Sequence, residues 1–288
     1  MELGEGEHLQ VPWPGCYRNK RAHQVTTMLS NVNGAGGTVP DDLDLSVSLG
    51  NHPGWRILRK FSMNPDVDTG RAQVWPPGTI QVLPAAAGVV SVVSDSANDV
   101  MTTGTGCWTV KLWGLDANYE EINETVELNG TSAVITTQEF LRVYRAYAVQ
   151  VGTGEVNDGN ISFSIGGNLQ AYIEADEGQT HISQYTVPLG HVAVITRYVA
   201  MSGRVGNADL SVQLQVRLLG ESWRSFSDTF PYEGSFTLER PMIVVPEKAD
   251  MRAIVAATTT NSNVAIDWNG FLIDEKYFNG QLLSTVAP

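Results

Sequence analysis

Beyond residue 60 the chain alternates apolar and polar residues with a period near two, the spacing of a strand whose successive side chains point to opposite faces. The cleanest run is LSVQLQVRLL, where Leu210, Val212, Leu214, Val216 and Leu218 form one face and Ser211, Gln213, Gln215 and Arg217 the other. VAIDWNGFLI follows, with Val264, Ile266 and Trp268 alternating with Ala265, Asp267 and Asn269. In CWTVKLW, Trp108, Val110 and Leu112 share one side and Cys107, Thr109, Lys111 and Trp113 the other. The run from Phe140 to Val151 is apolar on both faces, which suits a central strand or one whose second face meets a partner.

The pattern predicts strands over 89–93, 107–113, 122–128, 133–136, 140–151 and 161–165, then over 181–187, 191–202, 208–219, 225–230, 236–238, 242–245, 251–259 and 264–273. Clusters of Ser, Asp, Asn and Gly separate them at roughly the 8–12-residue spacing of a sandwich or barrel. The second set contains about eight strands, the number in a jelly roll. The expected fold is all-β: two β-sandwich or jelly-roll-like domains, 61–168 and 169–288, preceded by an irregular N-terminal arm over 1–60. VPWPG, NVNGAGG and NHPGW punctuate that arm too often for an element to extend, although RNKRAHQVTTMLSNV admits one helix with Val25, Met28 and Leu29 on a face. An arm of this kind gains order by lying on its own body or on a neighbour.

Composition agrees: 42% hydrophobic, 17% charged, 28 Gly and 13 Pro favour short strands and tight turns over helices with paired surface charges. The formal charge is −13, and six basic residues offset six acidic ones in the first 60, so the whole deficit lies beyond them. An acidic body opposes phosphate binding, which argues against a nucleic-acid partner. No apolar run is long enough to cross a bilayer and no signal peptide is visible, so no membrane partner is expected. Two cysteines, Cys16 and Cys107, make neither a disulfide framework nor a metal site, and Cys107 reads as a small buried apolar group.

The sequence offers little chemistry, and neither an enzyme nor a cofactor is expected. There is no phosphate-binding Gly-Lys-Ser/Thr loop and no G-x-S-x-G elbow. His8, His23, His52, His181 and His191 lack zinc spacing. Asn64-Pro-Asp66-Val-Asp68-Thr-Gly70 begins like a calcium loop, but its glycine falls one position early and no closing Glu follows, so Asx turns in which these carboxylates bond nearby backbone N–H groups are the expected role. Glu120 with Glu121, Glu124 with Glu127, and Asp176 with Glu177 are carboxylate pairs of the type glycosidases use, or solvated strand edges that discourage aggregation.

Three blocks carry a resemblance: NPDVDTGRAQVWPPGTIQVLP; the hairpin GLDANYEEINETVELNG with its flanks; and FLRVYRAYAVQVGTGEVNDGNISFSIGGN followed by the VPLG turn. In this order, from about Asn64 to Thr196, they resemble the virion structural proteins of tailed bacteriophages, especially marine ones. The resemblance implies a particle component and supplies no catalytic residue. The expectation is a capsid decoration or cement protein on the virion surface, made in the host cytoplasm. Its partners would be the major capsid protein or neighbouring virion proteins, and its own copies as a homo-oligomer, a trimer for threefold positions. Candidate contacts are Trp13, Arg18, Lys20, Arg21, Trp55, Arg56, Arg59 and Lys60. The alternative is a tail, baseplate or head-fibre component binding a receptor or glycan through aromatics among Trp223, Phe226, Phe230, Tyr232 and Phe236.

Overall fold

A computed structural model describes residues 43–203, 210–229, 234–258, 260 and 262–279, and the fold is all-β, with sixteen strands and one short α-helix among the described residues. In the segment up to Arg56, helix α1 (Leu43–Ser48) leads to a turn where Ser46 Oγ and His52 Nε2 lie 3.0 Å apart and the His52 and Trp55 rings 5.5 Å apart. Residues 1–42 lie outside the described residues, and with them the anticipated helix, Cys16, Trp13, Arg18, Lys20 and Arg21.

The remaining chain forms two sandwiches. The first is built from β1 (Trp55–Val67), β2 (Gly70–Gln73), β10 (Tyr185–Thr186), β11 (His191–Gly203), β12 (Leu210–Arg217), β13 (Arg224–Thr229), β14 (Gly234–Val245), β15 (Asp250–Ala257) and β16 (Ser262–Asp274). One sheet has the order β1-β16-β11-β14 and the other β10-β15-β12-β13, with β2 also on β15. Counting β2 and β10 as one strand line gives an eight-stranded, jelly-roll-like order, 1-8-3-6 facing 2-7-4-5. Its core holds Leu58, Ile195, Tyr198, Val212, Leu214, Met251, Val255, Ile266 and Trp268.

The second sandwich is continuous in sequence: β3 (Gly88–Ser94), β4 (Cys107–Leu115), β5 (Glu121–Glu127), β6 (Val134–Phe140), β7 (Arg142–Val151), β8 (Ile161–Ile165) and β9 (Asn168–Ile173). Its sheets are β6-β3-β8-β9 and β5-β4-β7, closed over Val90, Val92, Cys107, Val110, Leu112, Phe140, Phe163 and Ile173.

The second sandwich is spliced into a single strand of the first. β2 pairs Gly70 to Gln73 with Ala257 to Ile254, and β10 continues along the same edge of β15, pairing Tyr185 with Met251 and Thr186 with Asp250. Between them Val74 N still donates to Ala253 O at 3.0 Å, and Ala253 N donates to Ser183 Oγ at 3.3 Å. The chain therefore leaves the sheet at Val74 and returns near Ser183, one step along the same line.

Sheet pairing thus divides the chain differently from the boundaries read at 61–168 and 169–288. The end of the supposed irregular arm is the first residues of β1, and the NPDVDTG segment is the corner where the chain passes from one sheet of the jelly roll to the other. β1 escapes a periodicity reading because three inward positions are polar: Lys60, Ser62 and Asn64 are all buried. At the corner, Asn64 Oδ1 accepts from Asp66 N at 3.1 Å, so the Asx turn is made by the amide and not by the carboxylates.

Two further differences bear on the site. The expected strand 140–151 is two strands: Phe140 ends β6 and β7 begins at Arg142, the chain crossing from one sheet to the other at Leu141. In β4 the register shifts between Cys107 and Thr109, Thr109 and Val110, and Trp113 and Gly114. These bulges reverse the expected phase: Cys107 and Thr109 turn inward with Val110 and Leu112, while Trp108 is half-exposed. Gly114 is required at the last bulge, since a Cβ there would meet Arg142 O at 1.9 Å.

Candidate functional site

Of the anticipated contacts that are described, Trp55 is half-buried, and Arg56 and Arg59 are exposed on β1. Lys60 is only 8% exposed, which takes it out of the surface patch proposed for it. It sits instead in the seam between the sandwiches. Its Nζ donates to the Tyr144 carbonyl of β7 and lies 5.6 Å from the Tyr144 ring centroid and 6.0 Å from that of Tyr185. Tyr144 and Tyr185 meet edge to face at 5.2 Å, and Tyr185 meets Trp268 at 6.1 Å, forming an aromatic ladder from the insert into the jelly-roll core. Burial, helped by the nearby Arg145 guanidinium, pulls the Lys60 ammonium down to about 7.

Beside this seam the outer face of β4 and β7 carries a checkerboard. Register sets Lys111 opposite Tyr147 and Trp113 opposite Arg145, so the four side chains share one face. Lys111 Nζ lies 4.8 Å from the Trp113 ring centroid, and the Arg145 guanidinium carbon 5.5 Å from that of Tyr147. Trp113, Tyr144, Arg145 and Tyr147 line an open recess of about 310 Å³. Arg145 also borders a narrower one of about 30 Å³ lined by Arg59, Lys60, Phe61, Gln179, Thr180 and Ile182, with the Phe61 and His181 rings 5.2 Å apart. Arg59 and Lys60 thus belong to one basic and aromatic neighbourhood that spacing alone did not assemble.

A second constellation is wholly internal. Asp250 of β15 accepts from Arg142 Nε at 3.1 Å, from Arg217 Nε at 3.1 Å and from Thr186 Oγ1 at 2.6 Å. Arg142 also donates to the carbonyls of Pro84 and Leu141 at 2.9 Å each. This network ties β7 of the insert to the jelly roll at the splice point. On the same sheet face, the Arg217 and Arg252 guanidinium carbons lie 4.8 and 3.9 Å from the Trp223 ring centroid. Phe226 packs on the jelly-roll core, while the side chains of Phe230, Tyr232 and Phe236 lie outside the described residues.

One carboxylate of each pair considered as acid and base is engaged in a structural contact. Glu121 accepts from Tyr144 OH at 3.1 Å, and Glu124 accepts from the Thr137 and Gln138 backbone N–H groups at 2.7 and 2.9 Å. Glu177 stands 3.5 Å from His181. Among the described residues no group of three or more His, Cys, Asp or Glu is placed to hold a metal ion, and no helix is long and apolar enough to cross a membrane.

No protein-family model and no curated protein matches the chain. Among solved structures it is similar to one of the infectious bursal disease virus Gt strain, with 11% identity over 89% of this chain and 80% of that one and a TM-score of 0.25. It is also similar to the VP2 subviral particle of that virus, with 10% identity over 90% and 80% and a TM-score of 0.22. Scores in this range do not establish a common fold.

Proposed function

We propose that this chain is a non-enzymatic virion structural protein of a tailed phage, a decoration or cement protein laid on the outer capsid surface. The observation that carries the reading is that the motif series from Asn64 to Thr196 brackets the whole insert and both of its junctions with the jelly roll. It begins at the corner before β2, runs through the whole insert and ends in β11. Its motifs coincide with devices that build the insert and return the chain to the jelly roll. In GLDANYEE, Asp116 Oδ1 accepts from Asn118 N at 2.8 Å and Glu120 N at 2.9 Å, closing the β4–β5 hairpin. The VPLG turn joins β10 to β11 where the chain has just re-entered the jelly roll.

A jelly roll is an architecture of viral capsid and lectin domains, and the fold alone does not choose between them. The protein would act by area, covering junctions between shell subunits so that opening the shell also exposes buried apolar surface. Its partners are then the major capsid protein or its virion neighbours, and a trimer matches threefold positions. Quantitative mass spectrometry of purified particles tests the assignment. A shell role requires copies on the order of hundreds, whereas about six to eighteen would move the protein to the tail or baseplate and overturn it.

A further inference from the structure

We propose that the recess beside the seam of the two sandwiches binds a saccharide bearing a carboxylate, with Trp113 and Tyr147 as stacking platforms and, as the anion's partners, Arg145 from its lining and Lys111 from the same sheet face. This site is independent of whether the protein stands on shell or tail.

Trp113 and Tyr147 occupy diagonal positions on neighbouring strands, which places the two residues about 7–8 Å apart along the sheet. That spacing suits adjacent sugar residues whose apolar C–H faces lie on aromatic rings. The recess is shallow and open, fitting a chain laid across it better than a small molecule swallowed by it. Asn123 and Thr125 of β5 are exposed and extend the same cross-strand rows, Asn123 beside Trp113 and Thr125 beside Lys111, offering an amide and a hydroxyl to sugar hydroxyls.

Charge selects the acid. The protein has 31 carboxylates against 18 Lys and Arg, yet among the described residues neither Lys111 nor Arg145 forms an ion pair, and both lie against rings. A carboxylate placed between Lys111 and Arg145 meets two cations and gains charge-assisted hydrogen bonds. Single-stranded nucleic acid also joins stacking to cations. Glu121 and Glu127 on β5 and the net charge of −13 oppose its repeated phosphates, whereas a lone sugar carboxylate fits the local positive spot.

The full chain is titrated calorimetrically with trigalacturonate and with sialyllactose, each against its carboxyl-reduced form, and with a twelve-residue oligothymidylate. At least one acidic probe is expected to bind about tenfold or more tightly than its reduced form. Arg145→Gln with Lys111→Gln removes that preference, and Tyr147→Ala weakens both forms about tenfold while Tyr147→Phe retains binding. Trp113 packs on the jelly-roll core, so the exposed Arg145 and half-exposed Tyr147 carry the test, with near-UV circular dichroism verifying each fold. The proposal is overturned if neither acidic probe binds at about 10 mM, if acidic and reduced forms bind alike, if folded Tyr147→Ala and Arg145→Gln variants bind as the parent does, or if the oligothymidylate binds tighter than the sugars.

Discussion

The jelly roll and the sandwich spliced into it are held together by different means. The insert runs unbroken from Gly88 to Ile173, and polar side chains pin its loops to nearby backbone. Asp99, fully buried, accepts from Cys107 N at 2.6 Å, Asp158 N at 2.8 Å, Gly159 N at 2.9 Å and Ser94 Oγ at 2.6 Å. Asp95 grips Asn160 through both oxygens, and Asn157 donates to the carbonyls of Gly159 and Glu174. The jelly roll pairs strands from opposite ends of the chain, β1 with β16 and β2 with β15, so it closes only after the insert's whole length has been looped out. It relies on a large apolar core and on the buried Arg142–Asp250–Arg217 network at the splice. The insert therefore has a core and loop pins of its own, although Leu115 and Tyr144 also reach into the jelly-roll core, whereas the jelly roll depends on the splice being held shut.

The largest expected effect comes from breaking that splice. Asp250→Ala strands Arg142, whose side chain is 7% exposed, and removes the partner of Arg217. Leaving a buried charge uncompensated costs about 3–5 kcal/mol. Urea unfolding of Asp250→Ala should show that loss, with the jelly roll melting before the insert in hydrogen exchange. Simultaneous loss of protection in both sandwiches would show the insert is not self-contained.

Lys60 comes next, because the seam holds it against its own charge. Its folded pKa near 7 lies below its unfolded value of 10.5, so between them the unfolded chain binds more protons and stability rises with pH. The penalty is full below pH 7 and fades toward pH 10.5. Lys60→Met should be more stable than the parent at pH 7, and the gap should narrow by about 3–4 kcal/mol by pH 10. A gap that does not change with pH would mean that Lys60 keeps its charge in the fold.

Much of this fold was legible in alternation, and the failures have physical causes. Six strands of the insert and most of the jelly roll lie where period two places them, because one face of each is dry. β1 is hidden because Lys60, Ser62 and Asn64 point inward, where Lys60 donates to the Tyr144 carbonyl and Asn64 to the Gln73 carbonyl. β9 was missed although Gly166-Gly167, both at positive φ, is a hairpin signal that joins it to β8. The site was half legible: Arg59 and Lys60 were singled out as basic, but their neighbours Arg145, Tyr147 and Trp113 come from strands that only the splice brings beside β1. Nothing local announces the pairing of Arg142 with Asp250, which lie 108 residues apart.

Within the insert, Asp99→Ala should cost about 2–3 kcal/mol, since it leaves buried backbone N–H groups without an acceptor. The damage should be confined: increased exchange around 94–107 and 157–160, with the jelly-roll strands unchanged. Exchange rising equally in β11 and β16 would erase the contrast between the two sandwiches.

The smallest effect is kinetic, and it reads that contrast directly. Cys107 is a free thiol, fully buried, donating to Thr109 O at 3.3 Å, and burial together with the Asp99 carboxylate pushes it up to about 12. Only the thiolate alkylates, so at pH 8 iodoacetamide should leave Cys107 unmodified in the native protein, as peptide mapping would show. Because its N–H is one of the Asp99 donors, alkylation of Cys107 reports opening of the insert. It should accelerate in Asp99→Ala, which loosens the module from within, and stay slow in Asp250→Ala at urea concentrations that melt only the jelly roll. Equal acceleration in both variants would mean that the insert opens with its host, and that the pins around Asp99 shape its loops without giving it independent stability.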